Sequence, residues 1–388
     1  PMHDGCNART WVHVTVDADL TLARGTPLMT RVAGHTPRIA ADSSEYRQVQ
    51  AQQPVVFETM HQAALFVDHN EATLYTWGDE ECCLPAGATR ATLRGHYPNL
   101  EAGDVLILLE NRGAESGKKA DGDLAHRHAV RLTAVTLAED PLGGQILDPA
   151  DADPAPVTEI EWHAEDALPF PLCLHMVEVP AEELEPGEAA EQPVSLALGN
   201  MVLTDHGQTV MGEEWEPVPA DGRYRPGLEQ PGVTHCTDCG RDDDTMQDLA
   251  AAALLVQEPR EALPLVELYD ADRDETWKPQ RDLLASDRFA TEFVVEVESD
   301  GRAYLRFGDG IYGRQPTADT AFTATYRVGN GQRGNVGADA IYHIVSNDDG
   351  ILAVRNPLPA TGGSDVESLE EVRLYAPQAF RTQERAVT

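Results

Sequence analysis

Lysine is nearly missing from this sequence: Lys118, Lys119 and Lys278 are the only three in 388 residues. The other 26 of the 29 basic residues are arginines, against 66 Asp and Glu, for a formal net charge of −37. Direct binding to a nucleic-acid backbone needs clustered Lys and Arg to neutralise phosphates, so no nucleic-acid partner is expected. Long apolar runs are missing too. The longest, Leu249–Val256, is short and alanine-rich, well under the roughly 20 residues a helix needs to cross a bilayer, so no direct membrane insertion is expected. Six cysteines are too few for a disulfide scaffold and suit a reducing compartment better. Hydrolase signatures are also lacking: there is no Gly-x-Ser-x-Gly elbow, no His-Glu-x-x-His and no Walker lysine context. The expectation is a protein that is not an enzyme, with no catalytic residues and no cofactor.

What is present in excess is acid, and it is spread along the chain rather than gathered in a tail. A dispersed acidic surface with almost no lysine suggests work in molar salt, where the Debye length falls to roughly 3 Å and self-repulsion is screened. A halophilic origin is therefore expected.

The chain reads as mainly β with a few helices, in several antiparallel β-rich domains. Trp11–Val16 alternates apolar and polar residues, and Pro54–Thr59 and Leu74–Trp77 are further short strands. Asp104–Leu109 is a continuous apolar run, as expected of a strand buried on both faces. His128–Leu137 returns as a strand. Residues 1–139 form the first predicted domain and 140–156, rich in Pro, Asp and Gly, a linker or long loop. Residues 157–244 form a second β-rich region with irregular loops, in which Gly199-Asn200 predicts a hairpin and Asp205-His206-Gly207 a second turn. Residues 245–388 form the third predicted domain. Helices are expected over 245–257, with Asp244 and Gln247 as a capping box, and over 365–375, with Ser364 and Glu367 as the box and Pro377 beyond.

The most informative stretch is 289–346. Phe293, Val295 and Val297 share one face of a strand; Ala303, Leu305 and Phe307 alternate in the next; Phe322, Ala324, Tyr326 and Val328 do so in a third, and Ile341, His343 and Val345 in a fourth. Between them, Gly308-Asp309-Gly310-Ile311-Tyr312-Gly313 and Gly329-Asn330-Gly331-Gln332-Arg333-Gly334 match dinucleotide-binding spacing. That mechanism needs a helix N-terminus aimed at the pyrophosphate, and both matches run into strands instead. The glycines are expected to supply positive φ and close backbone approach.

Each metal candidate in the sequence also has a plainer role. His235-Cys236-Thr237-Asp238-Cys239 contains a Cys-x-x-Cys pair that chelates zinc only with two further ligands, for which the adjacent His235 and the remote Cys6 are candidates. An inert pair of loop thiols is the expectation. His126 and His128 share a strand face, yet read as part of a structural strand. Cys82-Cys83 reads as two buried thiols, or one buried and one exposed. Asp242-Asp243-Asp244 suits the positive end of the helix predicted after it. No metal site is expected.

The order of the glycine blocks is specific. FGDG-x-x-G from Phe307, then Pro316, then a strand ending Tyr326-Arg327-x-Gly329-x-Gly331 and Gly334-Asn335-Val336 resembles the baseplate J-like family, the wedge components of contractile phage tails and phage-tail-like injection systems. Asn356–Gly363, with Gly362-Gly363 leading into Glu367, Glu370, Glu371 and Arg373, is similar as well. So are residues 78–87, 125–132 and 166–173, which resemble the branch of large baseplate assembly proteins. The resemblance implies a structural core at 245–388 whose motif residues are Gly308, Asp309, Gly310, Gly313, Tyr326, Arg327, Gly329, Gly331, Gly334, Asn335, Gly362 and Gly363. It implies a chain that is a segment of a longer polypeptide, assembled in the cytoplasm into a hexameric particle that can be released from the cell. The implied partners are copies of itself, a second wedge protein, the central hub and spike, and sheath-proximal proteins. Alternatives are a receptor-binding or adhesin-like β module of the same particle, against which the 6% aromatic content weighs, and a metal-dependent envelope hydrolase.

Overall fold

The strand Met201–His206 is buried at all six positions because it lies between sheets. In the computed structural model, which describes residues 3–79, 81–145, 153–180, 182, 184, 189–237 and 248–379, the architecture is mostly β, as composition and alternation predict. The first sheet has seven strands in the order Ile351–Arg355, Arg9–Val16, Met201–His206, Val56–Thr59, Pro27–Thr30, Ile341–Val345 and Arg38–Ile39. The second has six, in the order Ala72–Thr73, Ser195–Leu198, Val105–Glu110, Arg127–Asp140, Ala155–Trp162 and Arg90–Arg94. The third also has six, in the order Gln208–Glu214, Phe322–Val328, Val266–Asp270, Glu275–Gln280, Glu292–Val297 and Ala303–Phe307. Their pairings are antiparallel except at Glu275–Gln280 with Glu292–Val297 and Arg38–Ile39 with Ile341–Val345.

The topology is nested, and sheet membership runs across the boundaries expected from sequence. The first sheet draws on both ends of the chain, while the second is built from 72–198 and the third from 208–328. The strands that flank residues 140–156 pair with each other, from Leu132↔Trp162 to Asp140↔Ala155. Gly199-Asn200 is no hairpin, since Ser195–Leu198 pairs in the second sheet and Met201–His206 in the first. Asn200 takes φ +49° there, and its side chain bonds the backbone N–H and C=O of Phe66 at 2.9 and 2.8 Å. Gly207 marks the next crossing, from the first sheet to the third.

Each sheet has its own core, and a further cluster joins two of them. Val12, Val14, Val202, Phe57 and Ile344 fill the first core, and Leu106, Leu108, Val130, Ile160 and Trp162 the second. On the opposite faces, Trp11, Met201 and Leu203 meet Val105, Ile107 and Leu109. This is why Val105–Leu109 is an unbroken apolar run, with each large side chain worth about 1.5–3 kcal/mol on burial. The third core holds Phe293, Val295, Ala303, Leu305, Phe322, Ala324 and Tyr326, the residues that alternation selects. Ile341–Val345, the fourth predicted strand, instead joins the first sheet.

The two predicted helices are revised. Of 245–257, residues 245–247 lie outside the described residues, and the rest forms only the 3-10 turn Ala253–Leu255. Tertiary partners take the backbone groups a helix would use. Asp166 accepts from the N–H groups of Ala251 and Ala252 at 2.7 and 3.0 Å, and Ala251 C=O accepts from Trp11 Nε1 at 3.2 Å. The last helix spans Leu369–Ala379, through Pro377, and its capping box is Ser368 with Glu371 rather than Ser364 with Glu367.

Candidate functional site

The glycine-rich blocks divide in space. Gly308–Gly313 closes on itself beyond Ala303–Phe307: Gly310 N–H donates to Gly313 C=O at 3.0 Å, and Asp309 Oδ1 accepts from Ile311 and Tyr312 N–H at 2.9 and 3.0 Å. Ile311 and Tyr312 are exposed at its tip. A side chain on Gly308 would collide with the backbone of Gly313 at 2.3 Å, so the loop is a tight turn.

Gly329–Asn335 and Gly362-Gly363, by contrast, meet. Asn335 Nδ2 donates to Gly363 C=O, and its Oδ1 accepts from Gly363 N–H, both at 2.9 Å. Gln332 N–H donates to Asp365 Oδ1 at 2.8 Å. Cys6 C=O accepts from Gly331 and Ser364 N–H at 3.1 and 3.0 Å, which ties the N-terminal segment into the same knot. Gly329, at φ +135°, lets the third sheet touch the first: a Cβ there would stand 2.7 Å from Gly207 Cα.

Beneath this knot lies a buried ionic junction. Arg327 Nη1 donates to Asp205 Oδ1 at 2.6 Å, Nη2 donates to Gly207 C=O at 3.1 Å, and Nε stands 3.4 Å from Glu58 Oε2. Asp205 Oδ2 accepts from Asn7 Nδ2 at 2.8 Å, and Glu58 accepts from Thr209 N–H and Oγ1 at 2.6 Å each. Burial opposes the Arg327 charge, but Asp205 and Glu58 outweigh it and hold its pKa above the ordinary arginine value. For Glu58 burial wins over Arg327 and Thr209, and its pKa is raised. Tyr326, on the other face of the strand, donates to Glu213 Oε2 at 2.6 Å; burial and that carboxylate push it to about 12. Arg327 and Tyr326 are motif residues identified in sequence. Asn7, Glu58 and Asp205 are not singled out by the sequence, although an acid at a core-facing position of a strand, as in Val55-Val56-Phe57-Glu58-Thr59, is a readable signal.

The other candidates are committed elsewhere. His126 bonds Glu110 Oε2 at 2.7 Å and stacks on Phe170 at 4.6 Å, while His128 Nε2 donates to Asp166 C=O at 3.0 Å. His235 is buried and donates from Nδ1 to Val233 C=O at 3.2 Å. Cys236 is disulfide-bonded, which departs from the expected pair of inert loop thiols. Cys239 and Asp242-Asp243-Asp244 lie outside the described residues. Among the described residues no group of three or more His, Cys, Asp or Glu is placed to hold a metal ion. A cavity of about 440 Å³ opens between the first and second sheets beside Trp11, His61, Asp104 and Arg131. Arg131 is already bonded there to Gly103 C=O at 2.8 Å.

No protein-family model matches the chain, and no curated protein does. Among solved structures, one chain of the type VI secretion system TssK-TssF-TssG baseplate subcomplex is similar over 98% of this chain and 71% of its own length, at 9% identity and a TM-score of 0.39. A likeness of that size does not fix a shared fold.

Proposed function

We propose that this chain is a structural subunit of the baseplate of a contractile injection particle. The observation that carries the reading is the knot itself. Two sequence blocks that resemble the baseplate J-like family, Gly329–Asn335 and Gly362-Gly363, are far apart in sequence and bond directly to each other. These two hydrogen bonds between the blocks support the reading. The role is mechanical: a wedge subunit associates with its own copies and a second wedge protein around a central hub and spike, in six-fold array. Such a ring holds one packing until triggered and then rearranges to release the sheath, which requires interfaces with two discrete arrangements of similar energy. Rigid sheets joined by a buried ionic junction suit a part that transmits force without deforming. High salt, cytoplasmic assembly and the absence of any catalytic step belong to the same proposal.

Deletion of the gene in the producing cell tests it. The expected outcome is loss of assembled sheathed particles. Particles that assemble and contract normally but fail to attach to their target would instead favour the adhesin-like alternative.

A further inference from the structure

Cys83 and Cys173 face each other across the small sheet formed by Cys83–Leu84 and Leu172–Cys173. Their Sγ atoms are 2.8 Å apart, and both cysteines are free. The flanking residues fix this meeting. Leu172 and Leu174 are buried in the second core, and Cys82 and Leu84 pack against it, so the alternating residues Cys83 and Cys173 point the other way. Leu174 N–H donates to Cys82 C=O at 2.8 Å, which makes 82/174 the hydrogen-bonded pair and 83/173 the non-hydrogen-bonded pair beside it. At such positions Cα atoms stand about 4.5 Å apart and side chains come closest. That spacing falls within the range a disulfide spans.

We propose that Cys83 and Cys173 form a dithiol site that closes into an intramolecular disulfide by exchange with a low-molecular-weight organic disulfide. Cys83 is exposed, whereas burial and the neighbouring Cys83 sulfur push Cys173 up to about 11. Cys83 therefore attacks first. Its thiol gives its proton to solvent, the thiolate displaces one thiolate from the organic disulfide, and a mixed disulfide forms at Cys83. Cys173 then loses its proton, attacks the Cys83 sulfur and expels the second thiolate. Two protein thiols are oxidised and one organic disulfide is reduced to two thiols, which take up the two protons. The bond closes a loop of 90 residues that contains four strands of the second sheet, Arg90–Arg94, Val105–Glu110, Arg127–Asp140 and Ala155–Trp162. Oxidation thus clasps that sheet while leaving its core untouched.

The test treats the full chain with oxidised glutathione, then counts thiols under denaturing conditions and maps linked peptides without reduction. Wild type should lose two thiols, yield a Cys83–Cys173 linked peptide and retain no glutathione. The melting temperature of the oxidised protein should rise by at least about 5 °C. Cys173→Ser should stop at the glutathione adduct on Cys83, and Cys83→Ser should keep the Cys173 thiol free. A persistent adduct on wild-type Cys83, linkage through Cys82 instead, or disulfide-linked dimers would each overturn the proposal.

Discussion

Arg327, in the third sheet, donates to Asp205, in the first, at 2.6 Å, and Asp205 is wholly buried. The two lie on different sheets joined at Gly207, so the pair locks one sheet against the other. Removing Arg327 leaves the buried Asp205 carboxylate without its opposite charge, which costs far more than the pair contributes when intact.

Arg327→Met should therefore lower stability by about 3–5 kcal/mol. Arg327→Lys, which keeps charge but loses the fork that reaches Asp205, Glu58 and Gly207, should fall between. Denaturant melts of both variants check this. A change within about 0.5 kcal/mol for Arg327→Met, the range of ordinary surface substitutions, would show that the junction does not hold the sheets together.

The glycines of the two motifs should separate by what surrounds them. Gly310 has φ +85° but open space around it, so Gly310→Ala should cost about 1 kcal/mol from backbone strain alone. Gly329→Ala adds a collision with Gly207 Cα and should cost more than about 2 kcal/mol. Arg333→Ala, at an exposed side chain that donates to Gln53 C=O at 3.1 Å, should stay within about 0.5 kcal/mol. Melts with and without added nucleotide complete the series. A nucleotide-dependent rise in wild type that Arg333→Ala abolishes would restore the phosphate-binding reading.

Acid should destabilise the fold through buried histidines. Burial and Arg355 push His13 down to about 4, and burial pushes His206 to about 4. Between about pH 6.5 and 4 the unfolded chain binds protons at these sites and the native chain does not. Stability is therefore fully present above the unfolded value and falls as pH drops, by on the order of 3 kcal/mol per histidine. Glu58, whose pKa is raised, opposes this near the lower end of the window, because there the native state binds the proton more tightly. Melting temperatures from pH 7 to 4.5 should fall, and the slope should flatten in His13→Gln/His206→Gln. An unchanged slope in that variant would locate the acid sensitivity elsewhere.

Salt tests the reading of the surface. With a net charge of −37, lowering salt from molar to about 0.1 M lengthens the Debye length to roughly 10 Å and restores self-repulsion. Loss of circular-dichroism signal or of assembled mass in light scattering is expected across that range. Constancy of both would remove the case for a high-salt setting.

What could be read from sequence was the local pattern. Phe293, Leu305 and Tyr326 occupy the core positions that two-residue alternation assigns them, and Val105–Leu109 is buried on both faces as its apolar run implied. Which strand joins which sheet was not legible. Gly199-Asn200 has the chemistry of a hairpin turn, but its geometry serves equally to pass a chain between sheets, and only the non-local partners Phe66 and His69 decide. The alanine-rich segment around Ala251 has high helix propensity, yet Asp166, distant in sequence, captures its N–H groups. The Arg327 partners Asp205 and Glu58, and Asn7 beside them, were not legible, because pairing across sheets leaves no periodic trace.

The central claim is that this chain is part of a baseplate, and electron microscopy of particles copurified with the full-length protein tests it most directly. The account predicts a six-fold ring at one end of a sheathed tube, with density for this chain inside the ring. Soluble monomers without tubes, or the chain found only on peripheral fibres, would contradict it.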